Sequence, residues 1–155
     1  MKELAVAIQN ENEKVSVIET IKSVKNVGFK NVFVQWYDEN WEHNQEEQVK
    51  LCKELGLNII FAHLGYQNIN SIWEDGNEGD NQVERYKKDI KECHDNGIPM
   101  VVMHLTSHKK APMYGEIGLN RIKKIVQYAK EWNIKIAFEN TKIKGYLEYV
   151  LDNIK

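Results

Sequence analysis

The chain has 155 residues, of which 42% are hydrophobic and 28% are charged, a composition typical of one globular domain with a sizeable core. The formal net charge of −2 excludes the strongly basic surface of a duplex-binding protein, and no apolar run reaches the roughly 20 residues that cross a bilayer. Cys52 and Cys93 lie far apart without a zinc-type spacing, which indicates reduced, semi-buried thiols in a cytoplasmic protein.

In chain order, short apolar segments alternate with amphipathic ones. The sequence opens with a predicted strand, "ELAVAI", and closes with a predicted helix, "GYLEYVLDNI". Between them, four segments end a helical pattern and enter an apolar strand within a few residues: "VKNVGFKNVFV", "CKELGLNIIF", "CHDNGIPMVV" and "AKEWNIKIAF". Their helix stops, Gly28, Gly56, Gly97 and Asn133, are residue types that adopt a left-handed backbone just past a helix. The pattern predicts five βα units of roughly thirty residues each.

Strict βα alternation predicts an α/β fold with a parallel sheet and right-handed crossovers. Two architectures fit this pattern, a doubly wound open sheet and part of a (β/α) barrel. The segment after the first strand, "IQNENEK", has neither a G-x-G-x-x-G fingerprint nor a P-loop, which disfavours the nucleotide-binding version of the doubly wound sheet. A flavodoxin-like sheet remains open on pattern alone.

Three predicted strands end on residues that bind metals or move protons. "NIIFAHL" leads to His63, "PMVVMHL" to His104, and "KIAFENT" to Glu139. The carboxyl ends of parallel strands share one edge, and strand alternation puts all three side chains on the face away from the helices, so we expect them to surround one point. Two imidazoles and a carboxylate suit Zn²⁺, Mn²⁺ or Co²⁺ better than Mg²⁺. The alternative is that each histidine is a hydrogen-bonded structural residue.

Other residues near these strand ends are candidates for substrate binding. Gln35 and Trp36 close the second strand and Asn140 follows Glu139. Packing of the second strand would explain Gln35 and Trp36 equally well. The acidic segment "WEDGNEGDN" does not fit the ligand spacing of an EF-hand, and we expect it to be a solvated lid over the strand ends.

The stretches "FAHLGYQNINSIWEDGNEGDNQVERYKKDIKECHDNGIPMVVMHL" and "GLNRIKKIVQYAKEWNIKIAFEN" resemble the xylose-isomerase-like TIM-barrel superfamily. The nearest branch is that of the bacterial sugar phosphate isomerases and epimerases, and endonuclease IV is a more distant relative. The resemblance implies a divalent metal at the barrel mouth and a catalytic role for Glu139, which would bind the metal and take part in proton transfer. In the endonuclease branch, the histidines that match His63 and His104 are zinc ligands. In sugar isomerases, the matching histidines more often line the substrate pocket.

Members of this superfamily have eight βα units, and their remaining metal ligands come from strands six to eight. We therefore expect residues 1–155 to form a single truncated domain, an incomplete TIM barrel with about five strands. One copy would lack the second glutamate of the proton shuttle. The unpaired edges of the first and fifth strands predict a homo-oligomer or association with a complementary barrel half.

Three functions follow as hypotheses. The first is metal-dependent proton transfer on a small-molecule sugar or sugar phosphate, with the activity of the isolated chain left open. The second is an endonuclease IV-like metal-dependent phosphodiesterase, against which the near-neutral charge argues. The third is a non-catalytic truncated fragment that acts through oligomerisation. Neither a nucleic-acid partner nor a membrane is expected.

Overall fold

The computed structural model describes residues 4–8, 15–37, 45–107, 110–139 and 141–154. Strands and helices alternate along these residues, with one 3₁₀-helix at Ile69–Trp73 after the third strand. The elements are β1 (Ala5–Ile8), α1 (Val17–Asn26), β2 (Asn31–Trp36), α2 (Gln45–Glu54), β3 (Asn58–Leu64), α3 (Asn77–Asp95), β4 (Met100–Met103), α4 (Glu116–Glu131), β5 (Lys135–Phe138) and α5 (Tyr146–Asn153). None of the described helices combines the length and the apolar character needed to cross a membrane.

The strands form one parallel sheet in the sequential order β1-β2-β3-β4-β5. A doubly wound sheet reverses its strand order at a switch point, and no reversal occurs among these strands. The predicted α/β fold with five parallel strands is therefore confirmed, and the sequential order is that of a partial (β/α) barrel. Within the described residues, β1 and β5 are the outer strands of the open sheet.

The four predicted helix stops are confirmed by their backbone angles. The φ values of Gly28, Gly56 and Gly97 are 92°, 65° and 72°, and that of Asn133 is 54°. Each of these residues lies two or three positions before the next strand, so the left-handed conformation reverses the chain from helix to strand. These turns end α1 to α4 and thereby set the points at which β2 to β5 begin.

The two faces of the sheet differ in burial. Val34, Ala62 and Val101 lie side by side in the register, and no more than 1% of any of them is exposed, because they pack in one core with the helices. Gln35 and His63 are paired in the same register one residue further along and therefore lie on the opposite face. The alternation expected from the sequence thus holds for β2 and β3.

Both cysteines belong to the core rather than to a metal site. Cys52 on α2 and Cys93 on α3 are free and completely buried, so they are more enclosed than the sequence predicted. Burial raises the pKa of the Cys52 thiol to about 11. Burial, followed by the neighbouring charges of Asp89 and Glu92, also raises the pKa of Cys93. Both side chains are therefore neutral, unreactive thiols at physiological pH.

The acidic side chains that follow Trp73 are exposed to solvent, as the sequence predicts. The chain is helical from Asn77 onwards, where α3 begins. Trp73 is 6% exposed, and its indole N–H donates a 2.7 Å hydrogen bond to the carbonyl of Leu105, just beyond β4. The sequence did not indicate this helix start, because acidic residues in the first turn of a helix are favoured by the helix dipole and look like a polar loop in sequence.

Candidate metal centre

The structure brings three strand-end side chains together. His63 is the penultimate residue of β3, His104 directly follows β4, and Glu139 directly follows β5. The backbone N–H of Glu139 donates to the carbonyl of Met103 (2.9 Å), which extends the pairing of β4 and β5 by one residue. The glutamate is therefore fixed by the sheet itself rather than by a loop.

The ligand atoms of these residues are in mutual contact. Nε2 of His63 and Nε2 of His104 each lie 2.9 Å from Oε2 of Glu139, and the two nitrogens are 3.2 Å apart. The imidazole side chains are 15% and 14% exposed, whereas the carboxylate is 43% exposed. Among the described residues, no other group of at least three His, Cys, Asp or Glu side chains could hold a metal ion in this way. The expected convergence on one point is present, with the carboxylate on the solvent side.

The charges in this cluster favour a cation. Burial raises the pKa of Glu139, but the hydrogen bonds and charges of His63 and His104 outweigh it, so the pKa lies below its ordinary value of 4.5. Burial lowers the pKa of His104 below 6.5; Glu139 opposes this effect and His63 adds to it. At neutral pH a carboxylate therefore faces a neutral imidazole, and these are the protonation states that metal binding requires.

The geometry of the three atoms fits a divalent ion. A tetrahedral ion with bonds of about 2.0–2.1 Å holds its ligand atoms about 3.3 Å apart. An octahedral ion with bonds of about 2.1 Å holds neighbouring ligand atoms about 3.0 Å apart. The observed separations of 2.9, 2.9 and 3.2 Å match either arrangement after shifts of a few tenths of an ångström. The residues present therefore suit a metal, with further coordination positions open.

The surroundings support the two imidazoles unequally. The ring of Tyr66 stacks on that of His104, with centroids 4.3 Å apart and planes inclined by 4°. Burial lowers the pKa of His104, and a hydrogen bond with the backbone of Thr106 opposes this effect. Nδ1 of His63, by contrast, is buried and has no hydrogen-bond partner. Since the outer nitrogen of a metal-binding histidine usually donates to a partner that fixes the ring, His104 is the better-supported ligand.

The other predicted site residues are dispersed. Gln35 lies beside His63 and accepts a 2.6 Å hydrogen bond from the hydroxyl of Tyr37. Trp36 points to the helix-covered face, where it is 3% exposed and its indole N–H donates to Glu92 (3.2 Å). Trp36 therefore does not line the mouth of the barrel, because strand alternation separates it from Gln35. Asn140 lies outside the described residues.

Sequence reasoning missed Tyr66. This side chain is 38% exposed and covers one face of His104 at the edge of the cluster. The available signal was its position in "HLGY", three residues after His63, where a loop residue at the end of a strand reaches the site. Aromatic residues are common in loops and follow no periodic pattern there, so this position alone does not identify Tyr66 as a site residue.

Acidification should destabilise the metal-free protein in part through His104. Because burial lowers the pKa of this imidazole, the unfolded chain binds its proton more readily than the folded chain does. The contribution to the free energy of unfolding is therefore complete above about pH 6.5 and decreases as the pH falls through the lowered pKa. Urea titrations at a series of pH values should show a smaller decrease for His104→Gln than for the wild type. Identical pH dependences would contradict this assignment.

A sequential parallel βα sheet with a His/His/carboxylate cluster at its carboxyl edge defines a partial (β/α)-barrel protein with a candidate divalent-metal centre. The sequence profile of the xylose isomerase-like TIM barrel family matches residues 21–152, and the chain belongs to this family. No curated protein matches the sequence significantly.

Several solved structures share the fold at low sequence identity. An L-ribulose 3-epimerase is 16% identical with a TM-score of 0.72, over 99% of this chain and 57% of its own. A D-tagatose 3-epimerase-like protein is 17% identical with a TM-score of 0.73, over 99% and 61%. An AP endonuclease of family 2 from Brucella melitensis is 9% identical with a TM-score of 0.68, over 99% and 63%. The chain thus spans between 57% and 63% of the length of these three structures.

Proposed function

We propose that this chain is a divalent-metal-dependent protein of the isomerase and epimerase type, which moves a proton on a sugar or sugar phosphate. The observation that carries the proposal is the contact of His63, His104 and Glu139 at the carboxyl edge of a sheet of the xylose isomerase-like family. The fold shared with an L-ribulose 3-epimerase and a D-tagatose 3-epimerase-like protein supports the same class of reaction.

In this proposal the three residues hold Mn²⁺, Co²⁺ or Zn²⁺. The ion, when bound, would act as a Lewis acid towards the carbonyl oxygen of the substrate. The pKa of Glu139 lies below its ordinary value of 4.5, so the side chain is ionised at neutral pH, and its carboxylate would accept the proton from the carbon beside that carbonyl. Gln35, beside His63, and Asn140, next to Glu139, would orient the hydroxyl groups of the substrate.

The proposal includes an assembly that covers the edges of the sheet. In the described part of the chain, β1 and β5 each leave one row of backbone N–H and C=O groups without a neighbouring strand. A second copy or a complementary barrel half would pair these edges and add a facing wall to the site. The free, buried cysteines are consistent with a cytoplasmic location as part of the same proposal.

Proton exchange tests the function directly. The purified chain, loaded with Mn²⁺ or Co²⁺, is incubated in D₂O with a panel of ketoses and ketose phosphates, and deuterium incorporation beside the carbonyl is followed by NMR. We expect exchange that decreases at least about a hundredfold in Glu139→Gln and is unchanged in Glu54→Gln, an exposed residue at the end of α2. Light scattering on the same samples reports the oligomeric state. Metal binding without exchange on any substrate would favour the non-catalytic alternative.

A second candidate is metal-dependent cleavage of a phosphodiester. His63, His104 and Glu139 lie in contact, and these are the three residues that the resemblance to the endonuclease branch implies as zinc ligands. The fold shared with an AP endonuclease of family 2 supports it, and the net charge of −2 argues against it. Incubation of the Zn²⁺-loaded chain with a duplex containing one abasic site distinguishes the two: strand cleavage that Glu139→Gln abolishes would favour this candidate.

A further inference from the structure

The two arginines of the chain are used in different ways. Arg121 donates hydrogen bonds from all three of its nitrogens, to Asp80 and to backbone carbonyls that include those of Ile72 and Gly76. Arg85, on α3, donates one hydrogen bond to a carbonyl, from Nη2 to that of Gly65 (2.9 Å), and its side chain also interacts with that of Tyr86. A guanidinium carries five N–H donors, so most of the hydrogen-bonding capacity of Arg85 is unused.

The charge of Arg85 also lacks a counterion within the described residues. None of the ion pairs formed there includes it. Its Nε is buried without a hydrogen-bond partner, and the guanidinium lies 4.4 Å from the ring centroid of Tyr86. A partly buried cation with one carbonyl acceptor is costly, because desolvation is offset only when an anion or further acceptors complete the site.

The position of this guanidinium is at the mouth of the barrel. Gly65 follows His63 by two residues, and a Cβ on Gly65 would lie 3.2 Å from Nη1 of Arg85 and 3.3 Å from the ring of Tyr37. The missing side chain therefore leaves room for Nη1 beside that ring. The hydroxyl of Tyr37 in turn donates to Gln35, which is paired with His63 in the sheet. The cation thus stands at the ends of β2 and β3, on the same edge as the candidate metal centre.

We propose that Arg85 binds the phosphate group of a small phosphorylated substrate, such as a sugar phosphate, while the carbon that reacts lies at Glu139. The inference rests on the proposed function and narrows its substrate class from sugars or sugar phosphates to sugar phosphates alone. A phosphate oxygen at Nη1 would supply the anionic acceptor that the described residues do not provide, in a charge-assisted hydrogen bond.

The binding of inorganic phosphate tests this site. It is measured by ³¹P NMR on the full chain in the presence of a chelator, so no bound metal ion contributes. Arg85→Gln should weaken phosphate binding about tenfold or more, the usual worth of a charge-assisted hydrogen bond. Lys88→Gln removes the same charge from an exposed position on the same helix and should leave binding unchanged. Gly65→Ala keeps the charge but crowds Nη1, so a loss of a few-fold is expected even if Arg85→Gln fails to fold.

The same titrations with a ketose phosphate, the matching free ketose and an oligonucleotide with an abasic site identify the source of the phosphate. Arg85-dependent preference for the ketose phosphate over the ketose supports the inference. The inference is overturned by absent phosphate binding, by equal binding to Arg85→Gln and wild type, or by Arg85-dependent binding of the oligonucleotide alone. Exchange on free ketoses without phosphate binding would overturn only this inference, whereas phosphate binding without any exchange would overturn only the proposed function.

Discussion

Replacement of Glu139 by glutamine should weaken the binding of Mn²⁺, Co²⁺ and Zn²⁺ by about a hundredfold or more, since loss of an outer-sphere partner alone costs 10–100-fold. The change keeps the size of the side chain but removes the negative charge at the oxygen that both imidazoles contact at 2.9 Å. Isothermal titration calorimetry against each metal measures the effect. His104→Gln should produce a comparable loss, because it removes the better-supported imidazole.

The control separates a defined site from general attraction of cations to an acidic chain. Glu54→Gln makes the same chemical change at an exposed position on α2 and should leave the affinity within about twofold of wild type. Equal losses in the Glu54 and Glu139 variants would show that the metal is held by diffuse charge. If Glu139→Gln bound the metal stoichiometrically with wild-type affinity, the proposed metal centre at this residue would be wrong.

The cluster was predictable because it depends on two properties that a sequence records. Strand parity decides which face a side chain takes, and the carboxyl ends of parallel strands share one edge. His63, His104 and Glu139 satisfy both conditions, and the helix stops that set each strand end, such as Gly56 and Gly97, were also readable. The same parity separates Trp36 from Gln35, so the sequence contained the information to exclude Trp36 from the mouth.

Contacts between distant elements were not predictable in this way. Tyr66 reaches His104 through a loop, and Arg121 meets Asp80 across 41 positions of sequence. No periodicity links such pairs, since they depend on how helices and loops pack rather than on local pattern. The turn that precedes α3 depends on such a contact too, because Arg121, on another helix, donates to the carbonyl of Gly76.

Replacement of Arg121 by methionine should lower the free energy of unfolding by about 3–5 kcal/mol, because the hydrogen bonds of one charged group to several backbone carbonyls are lost together. The arginine is 6% exposed. Its guanidinium donates hydrogen bonds to the carbonyls of Ile72, Glu74 and Gly76 at the same time, which no other side chain could do from this position. Methionine fills a similar volume but leaves the buried carbonyl of Ile72 without this donor, at about 1–3 kcal/mol, and also removes the hydrogen bonds to the partly buried carbonyls of Glu74 and Gly76. Urea unfolding followed by circular dichroism measures the loss.

Asp80→Asn decides whether the carbonyls or the ion pair give Arg121 its effect. The carboxylate of Asp80 is 60% exposed, and its hydrogen bond with Arg121 lowers its pKa, so solvent screens most of the interaction and a far smaller loss of stability is expected. Gly79→Ala disturbs the hydrogen bonds of Arg121 sterically and leaves the carboxylate of Asp80 in place. Its Cβ would lie 2.1 Å from Nη1 of Arg121 and 2.5 Å from the carbonyl oxygen of Ser71. A large loss of stability in Gly79→Ala together with a small one in Asp80→Asn would show that the hydrogen bonds from Arg121 to the carbonyls give the arginine its effect. If Asp80→Asn destabilised the chain as much as Arg121→Met, the stability would instead come from the ion pair.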